Sequence, residues 1–169
     1  MDRIRFPIGP FESALTYSIT ERCDLIHQIP PISEALQNAV QLLGPERLDT
    51  PYREQGWTVR QIIHHMADND MNAYLRFKRA LTEDEPIASS YREDLWADLE
   101  DYSEIPVENS LTLLEALHGR FVILLKGLTP GDFARKLTTE ALGSVSLDIA
   151  LHRFVWHNKH HLSQIQSFI

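Results

Sequence analysis

Four stretches of this chain repeat their apolar residues at helical spacing, and proline, glycine or other turn formers separate them. Ile32, Leu36, Val40 and Leu43 make the first stripe. Val59, Ile62, Ile63, Met66, Ala73, Tyr74, Phe77 and Leu81 make the second, on a helix expected from Thr58 to Leu81. The third runs from Val107 through Leu111, Leu114, Leu117, Phe121, Val122 and Leu125 to Leu128. The fourth reads as one helix from Ser146 to Phe168, with Leu147, Ala150, Leu151, Phe154, Leu162, Ile165 and Phe168 on one side. A helix with a single apolar stripe has to bury it against other elements. Four such helices in 169 residues predict one all-α domain, 1–169, built as a four-helix bundle. The connections after the second and third helices are long enough to cross over the bundle.

The rest of the chain supports this reading. Residues 1–18, with Pro7, Gly9 and Pro10, read as an extended strap whose aromatic side chains lie on the body. A helical stretch from about Thr20 to Leu43 is broken or bent at Pro30-Pro31, and Cys23 within it reads as a small apolar filler rather than a nucleophile. Thr58 followed by Gln61 is a capping-box signal. Thr82 to Pro106 is acidic, with a short helix expected over Glu93–Leu99. Tyr91 and Trp96 stand on that connection as candidate substrate-binding side chains. Thr129-Pro130 opens a short helix through Arg135, and Thr138 to Val145 reads as a polar connection. No glycine-rich phosphate loop, G-x-S-x-G motif, internal repeat or alternating strand pattern occurs.

Histidine is unevenly distributed. Four of the eight histidines, His152, His157, His160 and His161, lie on the last helix. His157 and His161, one turn apart at the edge of the apolar stripe, can both reach one metal ion; His152 and His160 point away from it. A third ligand has to come from another helix, and the second offers His64 and His65, whose spacing alone does not choose between them. His118, among leucines, reads as a hydrogen-bonded core residue. Asp70 falls on the second stripe, where an ionised carboxylate has to be paired. It is either a hydrogen-bond partner of a neighbouring helix or a residue beside the metal, acting behind a ligand or as a base.

Charge and cysteine content narrow the function classes. Sixteen basic against twenty-four acidic side chains give a net charge of −8, and the basic residues do not cluster, which argues against a nucleic-acid partner. No apolar run approaches the length of a membrane span or a signal sequence, so the expected setting is cytoplasmic, without membrane contact. A single cysteine excludes an internal disulfide and a thiolate-rich metal site, leaving nitrogen and oxygen ligands.

Three segments carry a family resemblance: Leu48-Asp49-Thr50-Pro51-Tyr52-Arg53, Gly56-Trp57-Thr58 through His64-His65-Met66-Ala67-Asp68, and Trp156-His157 followed by His160-His161-Leu162. With Met71-Asn72-Ala73-Tyr74, they resemble the YfiT-like branch of the DinB-like metal-dependent enzymes over nearly the whole chain. The resemblance implies a three-histidine centre at His65, His157 and His161, a homodimer, and either hydrolysis or transfer of the low-molecular-weight thiol bacillithiol. Two departures bear on substrate contacts. The segment before Ser146 lacks an expected His-Pro pair, and Gln164 stands where relatives often have histidine.

Three neutral imidazoles without a carboxylate leave positions open for water or substrate on one divalent ion per chain. Zinc or nickel is expected first, and iron or manganese is also compatible. A hydrolase usually needs a base such as the glutamate of H-E-x-x-H, and none lies between His157 and His161. A metal-held thiol needs no further base. The expected activity is therefore S-transfer from a small thiol to a small electrophile, with ester or amide hydrolysis, or non-catalytic metal or thiol binding, as the alternatives.

Overall fold

Three of the long helices start where a side-chain cap or a proline in the first turn reduces the number of unpaired first amides. Thr58 Oγ1 accepts from the Gln61 amide at 3.1 Å while Gln61 Oε1 accepts from the Thr58 amide at 3.0 Å, the reciprocal pair expected there. Ser146 Oγ caps the last helix by accepting from the Ile149 amide, without a reciprocal bond. Two prolines begin the helix after residue 29, so the first helical stretch is two separate helices rather than one bent one.

A computed structural model describes residues 3–12, 14, 16–140 and 143–169. Its elements in chain order are α1 (Ile19–His27), α2 (Pro30–Leu43), a 3₁₀ turn (Pro45–Arg47), α3 (Val59–Thr82), α4 (Glu93–Trp96), α5 (Glu100–Glu104), α6 (Val107–Lys126), α7 (Pro130–Phe133), β1 (Lys136–Thr139), β2 (Gly143–Ser146) and α8 (Leu147–Gln166). The bundle consists of α2, α3, α6 and α8. Helix α3 packs on α6 and α8, and α2 packs on the same two, so the consecutive helices α2 and α3 face each other across the bundle. Helices α3 and α6 run parallel, His64 meeting Ser110 and Asp70 meeting His118, so the segment between them returns along the bundle as one crossover, and the segment after α6 crosses the other diagonal to α8. The first is held down by Gln61 Nε2 donating to Ala97 O at 2.9 Å and by Tyr102 Oη donating to Asp68 Oδ2 at 2.6 Å.

The second crossover corrects the sequence reading. In place of a purely polar connection it holds an antiparallel hairpin, β1 on β2, with Leu137 opposite Val145. Those two side chains are buried against Phe77, Phe121 and Phe154. Each strand is four residues long and turns one apolar side chain inward, too short for an alternation to be seen. The fold is thus a four-helix bundle with one small two-stranded sheet, and Ala141 and Leu142 of that connection lie outside the described residues. A second short helix, α5, also follows the expected one. Cys23 is exposed rather than packed, because α1 buries chiefly Ile26.

Of the strap expected over 1–18, residues 1, 2, 13 and 15 lie outside the described residues. Phe6 packs on His160, Phe11 on His152 and Trp156, and the Tyr17 hydroxyl meets His152 Nδ1 at 2.5 Å. This overlay explains a second difference: His160 points away from the apolar stripe, yet it is buried, roofed by the strap and stacked on Trp156 with an interplanar angle of 13°.

Two apolar clusters fill the bundle, one around Ile62, Leu114 and Ile165, the other around Phe77, Phe121 and Phe154. Between them on three helices stand Asp70, His118 and Asn158. Asp70 is 0% exposed and accepts from His118 Nε2 at 2.7 Å and Asn158 Nδ2 at 2.9 Å. His118 Nδ1 lies 2.7 Å from Ser33 Oγ on α2, so four helices share one polar chain. With Nε2–H donating to Asp70 and Nδ1 accepting from the Ser33 hydroxyl, every link of the chain is satisfied. Replacing Asp70 by alanine leaves His118 and Asn158 buried without their acceptor, and the expected loss is about 3 kcal/mol, measured by denaturant unfolding. Asp70→Asn, which keeps an acceptor, should lose clearly less.

Candidate metal centre

His65 projects from α3, and His157 and His161 project one turn apart from α8, where α3 and α8 pack together. One ring nitrogen of each lies within 4.8 Å of the other two, and His65 Nε2 is 3.2 Å from His157 Nε2. His65 and His161 are buried and His157 is half-buried. Burial disfavours their protonation: His65 is pushed down to about 4, and His157 and His161 well below the ordinary imidazole value, the neighbouring imidazoles adding to the effect. Three neutral imidazoles with converging nitrogens could hold a metal ion.

The donor set fits a divalent ion. Two nitrogens bound tetrahedrally to one zinc ion lie roughly 3.3 Å apart, close to the His65–His157 separation. His161 Nδ1 faces Gln164 Oε1 at 2.8 Å; donating there, it leaves Nε2 as the lone-pair nitrogen. Asn69, one turn beyond His65, places its amide 3.1 Å from His157 Nδ1. His65 Nδ1 is buried without a hydrogen-bond partner, so the ring is positioned by packing against Trp57, at 4.7 Å between centroids.

The centre opens into a cleft of about 330 Å³ whose walls include Phe6, Tyr52, Trp57, Glu93, Arg153 and Trp156. The loop bearing Tyr52 and Trp57 closes through a turn at Gln55-Gly56, with Tyr52 N donating to Trp57 O at 3.2 Å. A side chain at Gly56 would meet Arg53 Cγ at 2.7 Å and Tyr52 Cε1 at 3.0 Å, so the tight loop depends on glycine there. Gln164 also donates to Tyr52 Oη at 3.0 Å and Arg5 O at 2.8 Å, joining loop, strap and ligand helix at one amide. Gln164 thus organises this site.

The other sequence candidates fall elsewhere. His64 is buried on the far edge of α3 against Ser110 Oγ, 2.8 Å away, and only its neighbour His65 reaches α8. Asp70 does not line the cleft; it sits behind Asn69, whose amide also meets Asp70 Oδ1 at 3.3 Å, so two hydrogen bonds separate it from His157. Tyr91 and Trp96 pack against each other in a tilted pair, 4.5 Å between centroids, and are absent from the cleft walls. Sequence reasoning missed Asn69, Trp57, Arg153 and Glu93. For Asn69 and Arg153 a signal existed, since each stands four residues from a histidine of the centre. Glu93 belongs to the acidic stretch before α6 and is exposed, yet it borders the cleft, where partial desolvation raises its carboxyl.

The family model described as the DinB superfamily matches residues 33–165. The chain belongs to the DinB superfamily. It is 44% identical over 165 residues to a protein of Oceanobacillus iheyensis, covering 96% of this chain and 94% of that one. It is 42% identical over 168 residues to one of Geobacillus thermodenitrificans, covering 99% and 94%. Both relatives carry the name "Putative metal-dependent hydrolase". The solved structure of YfiT from Bacillus subtilis, described as "a probable metal-dependent hydrolase with an unusual four-helix bundle topology", superimposes with a TM-score of 0.95. It shares 37% identity and covers 98% of this chain and 95% of that one.

His65→Ala, His157→Ala and His161→Ala should each abolish stoichiometric metal in elemental analysis, while His64→Ala and His152→Ala retain it. Gln164→Ala should weaken metal affinity by about 10- to 100-fold, read in a chelator competition. The metal-free protein should also lose stability as pH falls from about 6.5 toward 4. In that window the unfolded chain binds protons that the three buried imidazoles refuse, and the melting temperature of His157→Ala should fall less over it.

Proposed function

We propose that this chain is a metal-dependent enzyme, and that it transfers a low-molecular-weight thiol such as bacillithiol onto a small electrophile. The observation that carries this reading is the placement of Asp70. It was the inward carboxylate available as a base, and it is committed to His118 and Asn158 behind Asn69. The three imidazoles have no carboxylate among their hydrogen-bond partners. A nucleophile that needs little help from a protein base suits such a cleft, and a thiol is that nucleophile.

A divalent ion held by His65, His157 and His161 supplies a Lewis acid that favours the deprotonated form of a nucleophile at neutral pH. The protein's own groups do the rest. Gln164 and Asn69 hold the His161 and His157 rings, while Trp57, Trp156 and Phe6 narrow the cleft and exclude water. The thiol proton leaves to solvent, the sulfur electron pair forms the new S–C bond, and the leaving group departs with its bonding pair.

Hydrolysis is the second reading, and Glu93 favours it. Its carboxyl lines the cleft with a raised pKa, as a general base for water would; the names of the relatives point the same way.

Metal-loaded protein should accelerate attack of bacillithiol on a soft electrophile near pH 7. The gain should shrink as pH passes roughly 8.5, where a free thiol ionises unaided, and His161→Ala should show no gain. Glu93→Gln discriminates the readings: thiol transfer should change little, whereas a hydrolase that uses Glu93 as its base should lose roughly 10²- to 10⁴-fold. Thiol-independent ester or amide cleavage, with no conjugation across several electrophiles, would overturn the transferase reading.

A further inference from the structure

Behind His157 lies a second recess that the chemistry above leaves unused. It is a cavity of about 150 Å³ that shares Asn69, Arg153 and His157 with the metal cleft. Most of its inner surface is apolar, from Ala73, Phe77, Leu137, Val145 and Phe154. Against that surface stand two guanidinium groups, Arg76 from α3 and Arg153 from α8.

Their pairing is incomplete. Arg22, Arg60, Arg79 and Arg92 each hold a carboxylate, on Asp148, Asp49, Glu83 and Asp94. Arg76 donates from Nη2 to the Ser89 carbonyl at 2.5 Å, but its Nε is buried and has no hydrogen-bond partner. Arg153 makes no hydrogen bond or ion pair among the described residues; the Phe11 ring lies 5.6 Å from its guanidinium carbon. The acidic groups nearby are Glu93 in the cleft and Glu140 in the cavity wall, and neither forms an ion pair with either arginine. Both arginines are half-buried. Desolvation lowers both from the ordinary range; the charge of Arg153 lowers Arg76 further, while Glu93 offsets part of the effect on Arg153. Two like charges held together partly out of water, with an unused buried donor between helices, call for an anion.

The shape narrows the class. A planar carboxylate matches the guanidinium fork in a two-bond arrangement, and the apolar surface accepts a short carbon chain. The volume is that of a small organic molecule, far below what a nucleotide or peptide needs. Arg153 precedes His157 by one helical turn, roughly 6 Å along α8, so a molecule anchored there reaches the metal ligands within a few bonds.

We propose that Arg76 and Arg153 form a subsite for a carboxylate on the small-molecule substrate, anchoring that molecule so that its reactive end lies beside His157. The place of the subsite in thiol transfer rests on the function proposed above; carboxylate binding itself does not.

Calorimetric titration of the metal-loaded protein with succinate, against uncharged succinamide, tests the binding. Succinate should bind and succinamide should not. Arg76→Gln and Arg153→Gln should each weaken succinate at least tenfold, and Arg153→Lys, which keeps the charge and loses the fork, should fall in between. His161→Ala should leave succinate binding within about twofold, which separates the subsite from chelation by the metal. Equal binding of the two probes, failure of succinate to bind, undiminished binding in the Arg76→Gln/Arg153→Gln double variant, or loss in His161→Ala alone would overturn the proposal. These outcomes hold even if no thiol transfer is found.

Where transfer is found, kinetics identify which molecule carries the anion. With Arg153→Gln, KM should rise at least tenfold, with kcat little changed, for mercaptosuccinate but not 2-mercaptoethanol if the thiol is anchored. If the electrophile is anchored, the same rise should follow a carboxylate on the electrophile instead. A KM unmoved in both arms would overturn the proposal.

Discussion

The buried carboxylate of Asp70 is the constraint on which the rest of the bundle depends. A carboxyl group that burial raises above its ordinary value is tolerated at the centre of four apolar stripes only when its oxygens are hydrogen-bonded, and bonding them requires residues from other helices in one register. His118 and Asn158 supply the bonds, Ser33 completes the chain to α2, and Asn69 turns toward both Asp70 and His157. A slip of α8 by one residue would break the Asn158 contact and turn His157 and His161 away from His65. The polar layer therefore does for the metal centre what apolar packing alone cannot: it selects a single rotation of each helix, and the ligand next to Asn158 inherits that rotation.

Most of the bundle was legible because helical periodicity survives in long elements. The stripes of α2, α3, α6 and α8 were read from spacing, and Thr58 with Gln61 marked the start of α3 to the residue. What escaped was short or imposed from outside. The hairpin turns in only Leu137 and Val145, one inward residue per strand, and no pattern can be counted from that. His160 lies on the polar side of α8 by any helical wheel; it is buried because the strap, a distant segment without periodicity, lies over it. Cys23 is exposed for the complementary reason: α1 is short and touches the body mainly through Ile26.

At the site, spacing on one helix brought out His157 and His161, but the choice between His64 and His65 needed the family pattern, since both stand off the stripe on opposite edges. Geometry makes the difference plain. His64 turns to Ser110 on α6 and His65 turns to α8. The residues that orient the ligands were harder to see, because asparagine and glutamine carry no distinctive pattern. Gln164 stood out only through the family resemblance, and its amide accepts from His161 and donates to Tyr52 at once.

The electrostatics of the two recesses are complementary. The cleft holds three imidazoles kept neutral by burial and by one another, with Glu93 as its nearby carboxylate; the adjoining cavity is largely apolar on its inner side and carries two guanidinium groups whose charge burial disfavours. His157 forms a wall of both. A neutral metal-ligand set favours binding a cation, and the arginines favour an anion one helical turn away, so a molecule with a carboxylate at one end and a soft nucleophile or electrophile at the other is matched at both ends only in one orientation. Either end alone gains little, since a small carboxylate in water and a small thiol in water are each well solvated. Selectivity would then come from the distance between two sites fixed on the same face of α8, which the polar layer around Asp70 holds rigid.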